Sequence, residues 1–270
     1  MTRKSPAASR GGSPIPSFFD EREELLPGLT LRFTRPAAEP AACLALIDLT
    51  VLAEQMAAPR TGQVPSSLLS PAEQARYAEF TYPKRQCEWL GGRLVCKFAV
   101  LHLAAPPTGI IMPALSILPA ATGAPLLSCP SLPTWSLPAV SISHSDRYAV
   151  AMAARTESCG IDLQKTTPQT LRVADRFAEP AEMELLRKGL PDLEEAQRLT
   201  LLWSAKEALK KGLRRDQPAL FQGVTLVSVT GSPDLVLRLR YPGAGGRPAT
   251  VTAVALDDFF LAYIMAPCHA

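Results

Sequence analysis

Hydrophobic and polar residues form distinct patterns along the first half of the chain, and these patterns predict both strands and helices. Apolar runs at residues 31–33 and 43–49 indicate strands. The segment Ser-Pro-Ala-Glu at residues 70–73 carries the signals of a helix start: a serine N-cap, a proline in the first turn and a glutamate three residues after the cap. A second helix is predicted over residues 84–103, where apolar side chains recur at helical spacing.

The second half continues with short apolar strands, then helices, then a strand-rich end. Three strands are predicted at residues 139–143, 148–154 and 160–164. Three helices follow at about 169–177, 180–188 and 193–211. The last predicted strands are 224–229, 235–239, 250–256 and 259–264, with Asp257 and Asp258 as a hairpin turn. A series of strand, helix and paired strands therefore occurs twice, before and after about residue 157, which predicts an α+β protein.

Two regions lack these patterns. Residues 1–30 are rich in Ser, Pro, Gly and charged residues, which predicts a mostly disordered tail. From Phe98 to Ser145 there is no Asp, Glu, Lys or Arg. A membrane-spanning helix needs ~20 unbroken apolar residues, and prolines interrupt every such window here. We therefore predict no membrane span, but a helix end followed by a long apolar loop packed on protein.

Composition places the chain among ordinary globular proteins. Its 270 residues carry a formal net charge of only +3, which argues against the wrapping of nucleic acid but allows a local phosphate site. The six cysteines show neither a C-x-x-C pair nor a zinc spacing, so we expect thiols in a reducing compartment. The N-terminus has no apolar core behind its basic residues and is not a secretory signal, so the expected location is the cytoplasm.

Two motifs about forty residues apart carry the candidate chemistry. Residues 159–165 read Cys-Gly-Ile-Asp-Leu-Gln-Lys, and place Asp162 and Gln164 on the same side of an extended segment. Residues 203–212 read Trp-Ser-Ala-Lys-Glu-Ala-Leu-Lys-Lys-Gly and place Glu207 among lysines on a helix. Acidic oxygen ligands beside several cations suit a divalent metal that holds a polyphosphate.

Together the two motifs resemble those of the 4'-phosphopantetheinyl transferases of the surfactin-synthetase-activating (Sfp) type, which carry G-[IV]-D-x-E followed by W-x-x-K-E-A-x-x-K. Three further segments extend the resemblance over about the last two hundred residues: Leu90–Arg93, Ser141–Ser145, and Arg176-Phe177 with Pro180-Ala181-Glu182. The resemblance implies two similar α/β halves related by a pseudo-twofold, residues 31–157 and 158–270, with the active site in the cleft between them. It also implies a monomer, in effect a pseudo-dimer.

The activity that the resemblance implies is transfer of the 4'-phosphopantetheine arm of coenzyme A to a serine of an apo acyl, peptidyl or aryl carrier protein. Mg²⁺ is the implied cofactor, coenzyme A the co-substrate and 3',5'-ADP the second product. The partner is the carrier protein, and no nucleic-acid or membrane partner is expected, because no aromatic-plus-basic patch is visible in the sequence.

The resemblance also assigns residues to the metal and to the chemistry. Asp162 and Glu207 fall on metal-ligand positions, and Glu207 or a metal-bound water is the base for the incoming hydroxyl. Lys206 is expected near the phosphates and would stabilise the departing charge. Gln164 stands where the family more often has Glu; it either ligates Mg²⁺ through its amide oxygen or has left the metal shell.

A second set is assigned to coenzyme A. Its members are Arg76, Lys84, Arg85, Arg93, Ser143, His144, Lys206 and Lys211. For the first four the alternative is a solvated helix face, and for His144 it is a purely structural role. Lys210 lies one residue before the family's second lysine position. For Lys210 the alternative is a side chain that is simply solvated at the helix surface.

One departure concerns the segment before Ser141. The family often has Gly-Lys-Pro there, whereas this chain has Gly123-Ala124-Pro125, so a cation near the phosphates is missing. Together with Gln164 this leaves an alternative function open: a non-catalytic module that binds coenzyme A or a carrier protein. The intact Asp162, Lys206 and Glu207 favour the enzyme.

Overall fold

Two five-stranded antiparallel sheets form the framework of the protein. The computed structural model describes residues 18–266 apart from 58–67, 104–108, 214–220, 222, 232–234, 243–244 and 246. In their order across the sheet, the first contains β1 (Glu21–Leu26), β2 (Leu29–Thr34), β3 (Ala42–Asp48), β7 (Tyr148–Ala154) and β6 (Ala139–Ser145). The second contains β8 (Cys159–Lys165), β12 (Phe259–Met265), β11 (Ala249–Leu256), β10 (Leu235–Arg240) and β9 (Thr225–Thr230).

Helices follow the strands in both parts of the chain. The first part has α1 (Leu49–Ala57), α2 (Pro71–Ala78) and α3 (Pro83–His102), and the second has α4 (Gln169–Arg172), α5 (Pro180–Gly189) and α6 (Glu195–Leu213). Three 3₁₀ turns lie at Met112–Ala114, Thr134–Ser136 and Ala174–Arg176. A small separate hairpin pairs β4 (Ser116–Pro119) with β5 (Pro125–Ser128). The mixed helix and strand composition predicted from the sequence is confirmed.

The alternation of side chains along the strands creates three apolar layers. In β3, Ala45 and Ile47 belong to the cluster that packs the first sheet against α3. Their neighbours Leu44 and Leu46 face the other way and join Ile161 in a cluster between the two sheets. A third cluster packs α6 on the far face of the second sheet. Strands buried on both faces explain why β3, β7 and β12 read as continuous apolar runs.

The boundaries of several elements differ from those predicted. Residues 1–17 of the predicted tail lie outside the described residues, but β1 and β2 show that the chain is ordered in a hairpin well before residue 30. Helix α1 was missed because it follows β3 directly, with Asp48 Oδ1 accepting from the amide of Thr50 at 2.9 Å as an N-cap does. The predicted helix at 169–177 is a single α turn followed by a 3₁₀ turn.

The uncharged stretch from Phe98 to Ser145 is more ordered than predicted, although residues 104–108 of it lie outside the described part. It contains the β4–β5 hairpin, which buries Ile117 and Leu127 against the first core cluster. No helix in the described ranges combines the length and apolarity that a bilayer crossing requires.

Strands β6 and β8 run side by side at the edges of the two sheets, and no main-chain ladder joins these two fully described strands. Serine side chains join them instead. The amide of Ile161 donates to Ser141 Oγ at 3.1 Å, and the amide of Lys165 donates to Ser145 Oγ at 3.2 Å. Between them lies Ser143. We call these three serines the serine seam; it brings the S-H-S segment of the first sheet against the G-I-D segment of the second.

Candidate active site

The backbone of β8 lies unusually close to α6. Gly160 makes this possible, because a Cβ at that position would stand 2.0 Å from the carbonyl oxygen of Ala208. Two residues along the strand, the carbonyl oxygen of Asp162 accepts a hydrogen bond from Ser204 Oγ at 3.1 Å. Strand and helix are thus held in one register, which sets the side chain of Asp162 beside that of Glu207.

The Asp162 carboxylate is buried, with only 1% of the residue exposed, and its two oxygens have different environments. Oδ1 accepts from Ser143 Oγ at 2.9 Å and from Lys211 Nζ at 2.7 Å. Oδ2 is buried and has no hydrogen-bond partner among the described protein atoms. A buried carboxylate oxygen without a partner is costly, so it marks a place where a cation or another donor completes the site.

Glu207 contributes a second carboxylate from α6. Burial raises the pKa of Glu207, and the nearby charge of Asp162 raises it further, while Lys211 and Lys210 lower it. The two lysines follow Glu207 by four and three residues, so all three side chains share one face of the helix. Two carboxylates that disfavour each other's charge are relieved by a cation between them.

A cavity of about 230 Å³ opens next to these carboxylates. Glu207, Lys210 and Lys211 line one side of it, and residues 122–125, the tip of the β4–β5 hairpin, line another. Ser141 and Ile142 of β6 complete the described lining. The cavity therefore collects groups from both halves of the chain around the candidate metal ligands.

Residues 158–264 match the 4'-phosphopantetheinyl transferase superfamily. The matched stretch contains Asp162, Glu207 and Lys211. A 4'-phosphopantetheinyl transferase from Bacillus subtilis is 39% identical over 70 residues, which are 26% of this chain. The chain spans 30% of the length of that curated relative.

Solved structures of holo-(acyl-carrier-protein) synthases are also similar. One from Bacillus anthracis in complex with CoA (3',5'-ADP) is 20% identical, with 42% of this chain and 92% of that chain covered and a TM-score of 0.36. The ACPS–CoA complex of Chronobacterium ammoniagenes is 25% identical, with 42% and 93% covered and a TM-score of 0.34. The apo form of that synthase is 22% identical, with 46% and 95% covered and a TM-score of 0.35.

The ammonium group of Lys206 is engaged inside the protein. Its Nζ is buried, donates to the carbonyl oxygen of Phe177 at 2.7 Å and pairs with Glu182 Oε1 at 2.8 Å. Burial lowers the pKa of Lys206, and Glu182 acts in the opposite direction. The amide of Leu226 occupies Glu182 Oε1 as well, at 2.7 Å. Lys206 therefore ties α6 to α5 and β9, and its contact with the phosphates stays a prediction.

The first half of the chain contains a matching arrangement. Lys97 of α3 pairs with Glu73 of α2 at 2.5 Å and donates to the carbonyl oxygen of Leu68. Glu73 Oε1 accepts from the amide of Ile117, at the second residue of β4. In each half the glutamate precedes the lysine by 24 residues and follows a Pro-Ala pair. This repeated spacing is the sequence signal that would have identified Lys206 as half of an internal ion pair.

His144 is the exposed residue of the S-H-S segment, which forms the end of strand β6 and not the predicted turn. Burial of its ring lowers the pKa of His144, Glu88 raises it, and Arg85 and Lys211 lower it. Charged residues of both α3 and α6 thus act on the ring. Lys84 and Arg85 each approach Glu88, at 3.9 and 4.0 Å, so these two basic residues sit at the first turn of α3.

Arg93 is largely enclosed. Its guanidinium stacks on Trp89 at 4.3 Å and donates to the carbonyl oxygen of Ile117 at 3.2 Å. Burial lowers the pKa of Arg93 to about 10, although Glu73 and Cys96 raise it. These contacts give Arg93 a role in fixing the β4–β5 hairpin to α3, in addition to any contact with a ligand.

Arg76 is more exposed and forms a salt bridge with Glu79. Its guanidinium lies 5.3 Å from the Phe80 ring, and that of Arg85 lies 5.8 Å from the same ring. Phe80 in turn contacts Trp89, with 5.6 Å between ring centroids. The sequence had suggested no aromatic-plus-basic patch, but folding brings these side chains together at the α2–α3 turn.

Gln164 shares the sheet face of Asp162 but lies at the half-buried end of β8. It lines a different cavity, of about 220 Å³, together with Thr200 and Trp203 of α6. No group of three or more His, Cys, Asp or Glu side chains that suits a metal occurs within the described residues. A cation at Asp162 Oδ2 would thus have two protein carboxylates, and Mg²⁺ suits such a site because it keeps several waters.

Proposed function

We propose that this protein is a Mg²⁺-dependent 4'-phosphopantetheinyl transferase that modifies a serine of an apo acyl, peptidyl or aryl carrier protein. The observation that carries the proposal is the unpartnered, buried Oδ2 of Asp162 beside Glu207, within the stretch that matches the transferase superfamily. This arrangement fits a divalent cation, and the adjacent cavity supplies lysines for a diphosphate.

The proposed reaction exchanges the phosphoanhydride bond of coenzyme A for a phosphodiester bond to the carrier serine. The serine oxygen of the carrier attacks the phosphorus that bears the pantetheine arm, and a new P–O bond forms. The bond from that phosphorus to the bridging oxygen breaks, and 3',5'-ADP leaves with the electron pair. The serine proton passes to a base, for which Glu207 is our candidate, because its carboxylate lines the cavity proposed for the diphosphate.

Each residue of the proposed site has its own role in the reaction. Asp162 and Glu207 would hold Mg²⁺, which would supply positive charge to the diphosphate oxygens when bound. Ser143 and Lys211 fix Oδ1 of Asp162, so that Oδ2 is the oxygen that remains available. Lys211 and Lys210 stand on the cavity wall, where charge accumulates on the leaving group.

We further propose that coenzyme A binds at the junction of two halves related by a pseudo-twofold. The matching Glu73–Lys97 and Glu182–Lys206 pairs support a common origin of the halves. The position of His144, with charged neighbours from both α3 and α6, supports a ligand site at the junction. Arg76, Lys84 and Arg85 of the first half are the proposed contacts for the adenosine end, whereas Arg93 is assigned mainly to packing.

The proposal is tested by incubating the protein with coenzyme A, Mg²⁺ and a panel of apo carrier proteins, followed by intact-mass analysis. Wild-type protein is expected to add one phosphopantetheine to at least one carrier, and chelation of Mg²⁺ is expected to stop the reaction. Glu207→Gln is expected to lower kcat by about a hundredfold or more, whereas the matched change Glu184→Gln on the exposed face of α5 is expected to have no effect.

The same experiment separates the enzyme from a non-catalytic module. Binding of coenzyme A without modification of any carrier, at normal Mg²⁺, would show that the chain is a binding module, as the uncharged Ala124 and Gln164 would favour. Turnover by Glu207→Gln at the wild-type rate would remove Glu207 from the reaction and leave the base unassigned.

A further inference from the structure

The two lysines that follow Glu207 are in different situations. Lys211 Nζ donates to Oδ1 of Asp162 and to the carbonyl oxygen of Ile161 at 3.1 Å, so its charge is directed at the carboxylate. Lys210 forms no ion pair within the described part of the chain, yet it is half-buried and lines the cavity of about 230 Å³ next to Glu207. Of the two ammonium groups, that of Lys210 is therefore the one that can bind a ligand in the cavity.

The hairpin tip, which lines the same cavity as Lys210, carries no charged side chain. The hairpin tip closes with a turn in which the amide of Gly123 donates to the carbonyl oxygen of Ala120 at 2.8 Å, and Gly123 has a positive φ of 83°. From Ala120 to Ser128 the chain contains no Lys, Arg, Asp or Glu. All positive charge in the described lining therefore comes from Lys210 and Lys211 on α6.

The charge balance of the cavity depends on Lys210. The carboxylates of Asp162 and Glu207 are offset by Lys210 and Lys211, and removal of Lys210 lowers the net charge of the site by one unit, with or without a bound cation. This loss weakens the attraction of an anionic diphosphate, because an ammonium group acts on a phosphate as a point charge.

We propose that Lys210 is a phosphate-binding residue of this site, which supplies from α6 the positive charge that the hairpin tip at Ala124 lacks. The ligand class is the diphosphate of the donor substrate, so the inference rests on the proposed function and deepens it. Lys210 would contact the phosphates from the wall that carries Glu207, while the hairpin tip contributes only backbone groups and the Thr122 hydroxyl.

A charge relocation experiment tests this assignment. Lys210→Ala, Lys210→Arg, Ala124→Lys and the double variant Ala124→Lys/Lys210→Ala are compared with wild type by kcat/KM for coenzyme A. Lys210→Ala is expected to lose about ten- to a hundredfold, and Lys210→Arg is expected to retain most of the activity. The double variant is expected to recover most of the loss, because position 124 faces the same cavity. Lys188→Ala, an exposed lysine of α5, serves as the matched control and is expected to match wild type.

Calorimetric binding of 3',5'-ADP and of phosphate-free pantetheine provides a second readout that needs no carrier. Lys210→Ala is expected to weaken 3',5'-ADP about tenfold or more and to leave pantetheine unchanged. An unchanged affinity for 3',5'-ADP, an equally poor Lys210→Arg, or no recovery in the double variant would each overturn the assignment. If wild type binds 3',5'-ADP but modifies no carrier, the proposed function fails, while the binding data still decide the role of Lys210.

Discussion

The hydroxyl of Ser143, on the edge strand of one sheet, donates to Oδ1 of Asp162, on the edge strand of the other, across 2.9 Å. Together with Lys211 it occupies one oxygen of the carboxylate and leaves the other for a cation. Removal of a group that orients a metal ligand in this way commonly lowers metal affinity or activity by about ten- to a hundredfold. The first half of the chain therefore contacts the proposed metal site, although the proposed ligands lie in the second half.

We expect Ser143→Ala to raise the Mg²⁺ concentration for half-maximal rate by about tenfold, because Asp162 loses one of the two donors that orient it. The cost in stability is expected to be about 1–2 kcal/mol. Ser145→Ala is the matched control, since it removes a hydroxyl bond of the same seam but does not touch Asp162. An equal rise in both variants would mean that the seam, and not the bond to Asp162, sets the Mg²⁺ requirement.

The two internal ion pairs predict the behaviour of Lys206. Lys206→Met leaves the Glu182 carboxylate buried without a cationic partner and is expected to lower the free energy of unfolding by about 3–5 kcal/mol. Lys206→Met/Glu182→Leu is expected to recover part of that loss, because the amides of Glu179 and Leu226 then lose their acceptor, and to keep the wild-type KM for coenzyme A. The matched variant Lys97→Met/Glu73→Leu is expected to behave in the same way.

One outcome would support contact between Lys206 and the phosphates. In it, Lys206→Met/Glu182→Leu is stable but has a strongly raised KM for coenzyme A, whereas the KM of Lys97→Met/Glu73→Leu is unchanged. Chemical denaturation and steady-state kinetics on the same preparations supply both measurements.

Gln164→Glu separates the two interpretations of that residue. If Gln164 reaches the metal, the added carboxylate tightens Mg²⁺, and less is needed for half-maximal rate. Since Gln164 lines the cavity with Thr200 and Trp203 instead of that with Glu207, we expect the Mg²⁺ requirement to stay unchanged and the Tm to fall modestly. A Mg²⁺ titration of the rate, with melting curves with and without Mg²⁺, measures both. A lowered Mg²⁺ requirement would place Gln164 in the metal shell.

Arg76→Ala is expected to raise the KM for coenzyme A about tenfold, with a smaller effect on 3'-dephospho-coenzyme A, because its guanidinium, now in an exposed salt bridge with Glu79, can exchange that carboxylate for the 3'-phosphate. Folding is expected to be unaffected, since exposed ion pairs contribute little. Equal effects on coenzyme A and 3'-dephospho-coenzyme A would exclude a contact between Arg76 and the 3'-phosphate. Arg93→Ala is a poor test of the same idea, because the stacking on Trp89 and the bond to Ile117 make a loss of stability the expected result.

Gly160→Ala is expected to be strongly destabilising and inactive. The new methyl group would stand 2.0 Å from the backbone oxygen of Ala208, so α6 must move away from β8 and carry Glu207 away from Asp162. Overpacking of this kind costs about 1–3 kcal/mol or more. Gly92→Ala in α3 is the matched control, because its methyl group would meet only the side chain of Ile142, at 3.1 Å. A normal Tm and rate for Gly160→Ala would contradict the close packing of β8 on α6.

The sequence predicted most elements whose signal is local. Residues 70–73 show the capping box that was expected, and β7, β8 and β12 are the apolar runs that were expected. It failed where tertiary contacts decide: β1 is largely charged and exposed, so no alternation of apolar residues marks it. The β4–β5 hairpin was hidden in an apolar, proline-rich stretch that reads equally well as a loop.

The candidate site shows the same division. The motif indicated Asp162 and Glu207, and the structure brings these carboxylates together at the junction of β8 and α6. Helical spacing alone could not tell that Lys206 points into a buried pair, because its partner lies 24 residues away on another helix. Nor could it reveal that Lys210 shares a cavity with Ala124, which depends on the fold of a distant hairpin.

The boundary between the two sheets, which the serine seam holds together, is expected to open more easily than either sheet. The amides of Ile161 and Lys165 depend on single hydroxyl acceptors, each worth about 0.5–1.5 kcal/mol, whereas their neighbours in the β8–β12 ladder depend on a whole sheet. Small separations of β6 from β8 would therefore expose these two amides to solvent while both sheets remain intact. Their deuterium uptake would report opening of the junction directly, and a ligand that bridges the two halves would slow it.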